Sequence, residues 1–380
     1  MMKTGLSLTI FLSISVLGAI APTIAHAQGA SLKWYKGNTH THSSNSRGGD
    51  SAPDVVARWY RENGYQFLFI TDHDEYLTDV EPLNALIGRT GWFLLLPGQE
   101  MGYSITTKDG RKANPHVNGL FTREVIWPQG VSTMEGAIAQ VLAQGAIAQV
   151  NHPNYAWSLK PEDLDGLPDG TLLEIWNGLE GINNVGGDDG KGDVRPSSEG
   201  FWDHLLSRGK IIWAVGADDV HAMQGKDANT GSGKAWIVVR APELTPAAIR
   251  AAITQGDFYA SNGVKIADIM SDAHRLAVKI DDKETGFRYL TRFIGQGGKI
   301  LAEVAGLNPS YRFKGDETYV RATIVDSDGR KAWIQPVFHD GRARHSEFVL
   351  NRSPDLLAGQ GVTDGRNVGG PGHRTSVHDG

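Results

Sequence analysis

The chain of 380 residues contains no cysteine. Disulfide bonds and thiolate ligands are therefore excluded, and any metal site must be built from His, Asp and Glu side chains. An excess of positive charge is also missing, because 37 Lys and Arg stand against 43 Asp and Glu, for a formal net charge of -6. This charge balance does not provide the excess of positive charge that binding to nucleic acid or an anionic membrane requires. We therefore expect no nucleic-acid partner.

Long apolar runs are absent except at the N-terminus. There, Lys3 precedes the apolar stretch LSLTIFLSISVLGAI, and AHA at 25–27 matches a small-x-small cleavage site. This pattern predicts a secretory signal peptide over residues 1–27. The expected location is the periplasm or the exterior, with no stable membrane association after cleavage. An uncleaved membrane anchor is the alternative.

Seven apolar runs in the remaining chain each stop at a polar or ionisable cluster. They are short, continuous and rich in β-branched and aromatic residues, which is typical of strands buried on both faces. Helical patterns such as STMEGAIAQVLAQG lie between several of them. This alternation predicts an α/β fold of parallel crossover units closed as an irregular seven-stranded barrel, with an open doubly wound sheet as the alternative. The runs span residues 32–42, 65–74, 91–100, 114–121, 145–153, 171–178 and 209–221.

The stretch NTHTHSSNS at 38–46 places two histidines, His40 and His42, on either side of one threonine. In an extended strand both imidazoles point to the same face. Two neutral imidazoles side by side pack poorly in a core but are good metal ligands. The pair therefore predicts metal binding.

Further ionisable residues follow the later runs. In parallel barrels the site is built from loops at the C-terminal ends of the strands, so these side chains are expected to converge on one rim. Buried imidazoles and carboxylates without a counter-cation are costly to desolvate, and divalent metals remove that cost. The predicted metal ligands are His40, His42, His73, Glu100, His116, His152, Asp219 and His221.

Three aspartates beside these ligands are candidates for supporting or catalytic roles. Asp72 and Asp74 flank His73, and we predict that they orient ligand histidines or donate a proton to a leaving group. In the motif DDVH the D-x-H spacing favours Asp219 over Asp218 as the ligand, because alternating positions share a face in extended chain. Asp218 then joins Asp72 and Asp74 as a candidate.

The order of these motifs resembles that of the PHP superfamily, named for polymerase and histidinol phosphatase domains. His-x-His, Thr-Asp-His, a Glu after an apolar strand, His-Val-Asn-Gly-Leu, Asn-His-Pro and Asp-x-His occur in that order within residues 33–264. The resemblance implies a distorted seven-stranded β/α barrel that binds two or three divalent metal ions, Zn, Mn or Fe. It also implies hydrolysis of phosphoesters by a metal-activated hydroxide.

The resemblance distributes the predicted ligands over three metal positions, of which the first two share one glutamate as a bridge. The first position has His40, His42, Glu100 and Asp219, the second has Glu100, His116 and His152, and the third has His73 and His221.

The third position departs from the family pattern. An aspartate is normally found a few residues after the histidine pair, and this sequence has Arg47 at the matching place. Either Asp50 replaces that aspartate across a shifted loop, or the third position is weakened or empty. In the second case Arg47 is a candidate catalytic residue that binds an anionic group of the substrate, because guanidinium matches phosphate and carboxylate geometry. A solvated loop arginine is the alternative.

From about residue 265 the pattern changes to short alternating segments such as RLAVKI and KILAEV, separated by Gly, Asp and Asn turns. We predict a PHP-like barrel over 28–264 and a small antiparallel β domain over 265–355. The Gly-rich segment 356–380 is predicted to be disordered.

The leading hypothesis is a secreted metal-dependent hydrolase that acts on a small-molecule phosphoester. The alternatives are a metal-dependent carbamate or carboxyl-ester hydrolase on the same scaffold, and a periplasmic metal-binding protein without turnover. Four aromatic residues near the predicted rim are candidates to hold an aryl leaving group, with packing inside the barrel as the alternative. They are Tyr103, Tyr155, Trp157 and Trp176.

Overall fold

The computed structural model describes residues 32–223, 232–272, 274–282 and 286–341. The predicted signal peptide (1–27) and C-terminal segment (356–380) lie outside these ranges. Within them, every helix is too short or too polar to cross a lipid bilayer.

The strands of the described residues are numbered in chain order. Those before residue 220 are β1 Lys33–Asn38, β2 Phe67–His73, β3 Leu94–Gly102, β4 Ile105–Thr106, β5 Lys112–Ala113, β6 His116–Leu120, β7 Ile147–Val150, β8 Leu172–Asn177, β9 Gly187–Asp188, β10 Val194–Arg195 and β11 Trp213–Ala217. Those after it are β12 Trp236–Ala241, β13 Phe258–Ser261, β14 Ile266–Asp272, β15 Arg275–Ile280, β16 Tyr289–Gly295, β17 Lys299–Ala305, β18 Ser310–Arg312, β19 Tyr319–Asp326 and β20 Lys331–Phe338.

The α-helices of the described residues are short, and each has at most ten residues. They are α1 Pro53–Glu62, α2 Glu81–Leu86, α3 Met134–Ala143, α4 Ser198–Ser207 and α5 Pro246–Gln255. Single 3-10 turns occur at Tyr155–Trp157, Pro161–Leu164 and Gln296–Gly298.

Each of the seven predicted apolar runs contains a strand, namely β1, β2, β3, β6, β7, β8 and β11. Strands β2, β7 and β11 are buried at every position, as continuous apolar runs require. The helices α1, α3 and α4 lie between them where the helical patterns occur. The prediction of a mixed α/β fold is confirmed.

One sheet of 13 strands dominates the fold, in the order β11-β8-β7-β6-β3-β2-β1-β12-β13-β20-β19-β16-β17. Within the described residues this sheet does not close into a barrel, so the predicted closed barrel is wrong. Among the described residues, a single bridge between Thr41 and Val220 links the chain beyond β1 to the chain beyond β11. The reason is that β1 pairs with β12 from Lys33 to Gly37, which leaves β11 no free edge of β1 to join.

Strand β6 departs from the expected parallel arrangement. It is antiparallel to both β3 and β7, and the connection from β3 holds the short β4–β5 hairpin instead of a helical crossover. His116 therefore begins its strand instead of following one. The reversed direction still puts this residue at the edge where β3 ends, and His116 pairs there with Gly102.

The C-terminal strands share a core with the strands that carry the predicted ligands. Buried Tyr319 of β19 and Trp333 of β20 belong to the same apolar cluster as Trp202 of α4. Arg321 of β19 is buried and donates hydrogen bonds to both carboxylate oxygens of Asp203 on α4, at 2.7 and 2.6 Å. The sheet is also continuous from β13 to β20. The predicted domain boundary at 264/265 stays a prediction.

Candidate metal centre

One edge of the sheet brings all eight predicted ligands together. Six of them are buried, and His116 and His221 are partly exposed. Their places in the fold are the loop after β1 (His40, His42), the end of β2 (His73), β3 (Glu100), the start of β6 (His116), the loop after β7 (His152) and the loop after β11 (Asp219, His221).

The carboxylate of Glu100 lies at the centre of the cluster. Its two oxygens lie within 3.5 Å of a ring nitrogen of each of five histidines, which are His40, His42, His73, His116 and His152. Asn151 holds this carboxylate in place, because its Nδ2 donates a hydrogen bond of 2.8 Å to Oε1 of Glu100. This single carboxylate therefore contacts five of the other seven predicted ligands.

The first group of candidate ligands consists of His40, His42, Glu100 and Asp219. The Nε2 atoms of His40 and His42 are 3.2 Å apart, and each lies 3.0 to 3.2 Å from Oδ1 of Asp219. Ligand atoms about 2.0–2.1 Å from a tetrahedral zinc ion are about 3.3–3.4 Å from one another. The spacing of this group therefore fits one divalent cation.

The orientation of the polar atoms supports the same conclusion. His73 Nδ1 and Glu100 Oε2 are 3.0 Å apart, yet both are buried without a hydrogen bond to a described residue, because they are not aligned as donor and acceptor. Buried polar atoms in native proteins are rarely left unpaired. Atoms that converge on one point without bonding to each other are satisfied by a cation at that point.

Four overlapping groups of side chains each bring their ligand atoms within 4.8 Å of one another. Glu100, His40, His42 and His73 each belong to two groups. Of these, only the carboxylate of Glu100 can contact two ions at once, because a neutral imidazole nitrogen has a single lone pair. The chain's residues therefore fit a cluster of divalent metals bound through nitrogen and oxygen. The groups are His40/His42/Glu100/Asp219, His73/Glu100/His116, His42/His73/His221 and His40/His152/Glu174.

The grouping differs in part from the one that the family resemblance implies. His116 groups with His73 and Glu100, whereas the resemblance pairs His116 with His152. His152 groups with His40 and Glu174, and its Nε2 is 3.5 Å from Glu100 Oε1 and 3.7 Å from Asp219 Oδ2.

The third group contains imidazoles alone. Asp50 belongs to none of the four groups, and its Oδ1 accepts hydrogen bonds from Ser51 Oγ at 2.7 Å and from the Met223 amide at 2.8 Å. The geometry thus gives no support to a replacement of the missing aspartate by Asp50. Arg47 instead has a side chain that is 73% exposed, and its Nη2 lies 3.1 Å from Asp74 Oδ2.

The carboxylate of Asp72 organises the loop after His42. It accepts hydrogen bonds from the amide and hydroxyl of Ser43, both at 2.7 Å, from Ser46 Oγ at 2.8 Å and from Thr78 Oγ1 at 2.5 Å. These four bonds fix the course of the loop that carries Arg47. The predicted proton-transfer role of Asp72 stays a prediction.

The other two aspartates also have defined partners. Asp74 Oδ1 accepts a hydrogen bond of 3.0 Å from the Gly102 amide. Asp218 accepts one from Tyr60 OH at 2.8 Å and three from backbone amides of residues 233–235. Burial raises the pKa of Asp218 to about 6, although these hydrogen bonds oppose the shift. Asp218 therefore holds the backbone of residues 233–235, whereas Asp219 faces the other predicted ligands.

Glu174 is a site residue that the sequence motifs do not reveal. Its Oε1 lies 3.1 Å from His40 Nδ1, and its Oε2 accepts hydrogen bonds from the His152 amide at 2.7 Å and from Asn177 Nδ2 at 2.9 Å. A carboxylate that accepts from the outer nitrogen of a histidine fixes which nitrogen faces the metal. The sequence does contain one signal that could have revealed Glu174, because it is the one acid in the apolar run TLLEIWN. A buried carboxylate in such a run requires polar partners.

Electrostatics links the imidazoles to the two central acids. Burial lowers the pKa of His42, but Asp219 and Glu100 outweigh this effect and raise the pKa to about 9. Burial likewise lowers the pKa of His40, and Asp219 and Glu100 again outweigh it. In His73 burial prevails and lowers the pKa to about 3. The buried acids are thus stabilised by positive charge beside them, which protonated imidazoles provide without a metal and a bound divalent ion would provide in their place.

Two ligand positions hold strained backbone. His152 has a φ of 23° and Asp219 a φ of 54°, in the left-handed region that residues other than glycine seldom adopt. The backbone of each is held by a hydrogen bond, from His152 N to Glu174 and from Asp219 N to His40 O at 2.9 Å. Such strain is typical of functional sites whose surroundings fix the geometry.

No family model matches this sequence, and no curated protein does. Among solved structures, the chain is similar to a two-domain protein containing a predicted PHP-like metal-dependent phosphoesterase from Bacteroides vulgatus ATCC 8482. The two are 16% identical, the match covers 80% of this chain and 95% of that one, and the TM-score is 0.46. A likeness at this level shows no shared activity.

Proposed function

We propose that this chain is a metal-dependent hydrolase of small phosphoesters. The observation that carries the proposal is the buried carboxylate of Glu100, which belongs to two ligand groups at once. Sites that hold two metals about 3.5–4 Å apart are suited to in-line displacement at phosphorus. When bound, divalent ions supply Lewis acidity and lower the pKa of water to about 7.

The chain's own residues hold and orient that centre. Glu174 accepts from Nδ1 of His40, so the lone pair of Nε2 points to Glu100 and Asp219. Asn177 donates hydrogen bonds to both Glu174 and Asp219, at 2.9 and 3.0 Å. These contacts fix the ligand atoms before a metal arrives, which lowers the entropic cost of binding one.

The substrate approaches from the side where His116 and His221 are exposed by 21% and 26% of their side chains. Arg47 forms an ion pair with Asp74, the residue after His73, and Gly48 beside Arg47 lies against the ring of His221. An exposed arginine can exchange a carboxylate oxygen for a phosphate oxygen at little cost, because a surface ion pair contributes little free energy. Arg47 is therefore the anion-binding residue of the proposal, and Asp74 positions it.

The test uses the protein loaded with Mn²⁺ or Zn²⁺ and measures hydrolysis of nitrophenyl phosphate and nitrophenyl acetate, each with and without a chelator. Phosphate turnover that the chelator abolishes supports the proposal. Ester turnover without phosphate turnover moves the chain to the ester and carbamate class. Tight metal binding without turnover of either substrate identifies a metal-binding protein.

Export from the cytoplasm is part of the proposal and rests on the sequence of residues 1–27, which lie outside the described structure. The expected mature chain begins at Gln28. Cell fractionation followed by mass spectrometry of the intact protein checks this, and a full-length chain in the cytoplasm would contradict it.

A further inference from the structure

A shallow concave surface that is open to solvent, called the recess below, adjoins the candidate metal centre on the side of His116 and His152. Its other walls include Pro115, Pro153, Tyr155 and Leu159. None of the residues that line it in the described part of the chain is Lys, Arg, Asp or Glu. Asn114, Asn151 and Ser158 complete the lining, so the recess offers ring, apolar and neutral polar surface beside the predicted ligands and no charged side chain.

Tyr155 presents its ring to solvent at the edge of this recess. The residue is 46% exposed, and its ring centroid lies 5.3 Å from that of His152 and 6.4 Å from that of His116. A large aromatic side chain left this exposed directly beside ligand histidines has surface available for a flat group.

The fold holds the Tyr155 turn in a strained conformation. Ala156 and Trp157, which follow it, have φ values of 50° and 55°. Arg195 is 7% exposed, and its Nη2 donates hydrogen bonds to the carbonyls of Trp157 at 2.7 Å and Leu159 at 3.0 Å. A buried arginine that pins a strained turn keeps the ring in one place, as a binding surface requires.

The other three aromatic residues that the sequence places near the rim are less suited to this role. Tyr103 is 2% exposed, and its OH donates a hydrogen bond to Gln140. Trp176 packs against Trp333, with ring centroids 5.5 Å apart. Trp157 donates its amide back to Asn154 within the turn and is only partly exposed. Tyr155 is therefore the aromatic residue available to a substrate.

We propose that the recess is the leaving-group subsite, and that it selects phosphomonoesters of flat, uncharged alcohols such as phenols. This inference rests on the proposed function. Hydrolysis breaks the bond between phosphorus and the aryl oxygen, while water gives its oxygen to phosphorus and a proton to the released phenolate. Tyr155 is a specificity residue that stacks on the ring of the leaving group. A leaving group with a charge of its own meets no counter-charge in the recess.

Inhibition by phosphonates separates recognition from leaving-group reactivity. The loaded enzyme is assayed on nitrophenyl phosphate against phenylphosphonate and methylphosphonate, and the ratio of their inhibition constants is measured. We expect wild type to bind the phenyl compound at least tenfold more tightly. Tyr155→Ala should reduce that preference about 3- to 10-fold, whereas Tyr155→Phe keeps the ring and the preference.

Trp92→Ala is the matched control, because Trp92 is 67% exposed and lies before the start of β3, at the edge of the sheet opposite the site. Metal content of each variant is measured as a second readout, and it should not change. A ratio near one in wild type, or one that Tyr155→Ala leaves unchanged, overturns the inference while chelator-sensitive turnover leaves the proposed function standing. Absence of any phosphoester turnover overturns both.

Discussion

Replacing Glu174 with glutamine tests how the chain selects the nitrogen of His40 that faces the metal. The two oxygens of Glu174 meet His40 Nδ1 at 3.1 Å, the His152 amide at 2.7 Å and Asn177 Nδ2 at 2.9 Å. The amide of Asn177 cannot be turned around, because its Oδ1 accepts a hydrogen bond of 2.8 Å from the Leu179 amide. The His152 amide and Asn177 Nδ2 are thus always donors to Glu174, and His40 Nδ1 is a donor when it carries the imidazole proton.

Glutamine offers one oxygen where the native acid offers two. If that oxygen serves the His152 amide and Asn177, the NH2 group meets His40 Nδ1, which must then accept. The imidazole proton moves to Nε2, the atom 3.2 Å from both Glu100 and Asp219. If the glutamine amide is flipped, its NH2 group faces the two donors, the His152 amide and Asn177 Nδ2, and neither can form a hydrogen bond with it. That arrangement is less stable than the first. The variant therefore blocks the lone pair that a metal needs.

Loss of the partner behind a ligand histidine lowers metal affinity about 10- to 100-fold, or about 1.4–2.7 kcal/mol. Competition with a chromophoric chelator at constant pH measures this for Zn²⁺. Glu199→Gln is the matched control, because Glu199 is a partly buried acid that contacts Arg321 and Lys331 instead of a ligand. We expect the control to keep the wild-type affinity. An affinity for Glu174→Gln equal to that of wild type would refute the reasoning.

Three other predictions follow from the structure. His40→Ala and Glu100→Ala should each lose bound metal and activity while keeping the far-UV circular dichroism of the fold, and full metal stoichiometry in both would contradict the assignment. Arg47→Ala should raise KM for a phosphomonoester about tenfold with a smaller change in kcat, and Arg47→Lys should recover part of the loss; steady-state kinetics that show equal KM values would exclude an anion-binding role. Burial opposes ionisation of Glu317, but hydrogen bonds from Tyr311 and three backbone amides outweigh it and lower the pKa to about 2. The stability that this acid contributes is therefore present above its unfolded pKa, about 4.3, and is lost as pH falls toward about 2. The melting temperature should therefore fall more between pH 5 and pH 3 in wild type than in Glu317→Gln. An equal fall in both would contradict this.

The strands and the ligand cluster were accessible from sequence because two signals coincide. Each apolar run is long enough to be a buried strand, and each stops at a polar group that is expensive to bury, such as His73 after FLFIT or His152 after IAQV. Chain order then suffices to place these ends on one edge, provided that the strands are parallel. The mixed α/β fold follows from the same alternation.

What the sequence could not provide depends on partners distant in the chain. The pairing of β1 with β12 joins residues about two hundred positions apart, and no local pattern encodes it, so the open sheet was missed. The direction of β6 depends on whether the segment between β3 and β6 forms a crossover. His116 was nevertheless placed correctly at the edge, because a reversed strand presents its first residue where a parallel strand presents its last.

Glu174 was missed for a different reason. Its partners are the outer nitrogen of His40, 134 positions earlier, and a backbone amide, and neither has a motif. The motifs capture residues that face the metal, whereas a residue that acts from behind a ligand is visible only when the fold is known.

The pairing of β1 with β12 also determines how the chain can be divided. The loop of His40 and His42 leaves a strand whose far edge is held by β12, and that edge continues through β13 and β20 into the C-terminal strands. A chain ended at residue 264 would leave β13 with one unpaired edge and uncover the core that Tyr319 and Trp333 fill. The strands that carry the predicted ligands therefore share their sheet and core with the C-terminal strands. Truncation, fusion or recombination near residue 264 would remove support from the strands that carry the predicted metal ligands. An engineered variant should therefore keep residues 32–264 together with the C-terminal strands.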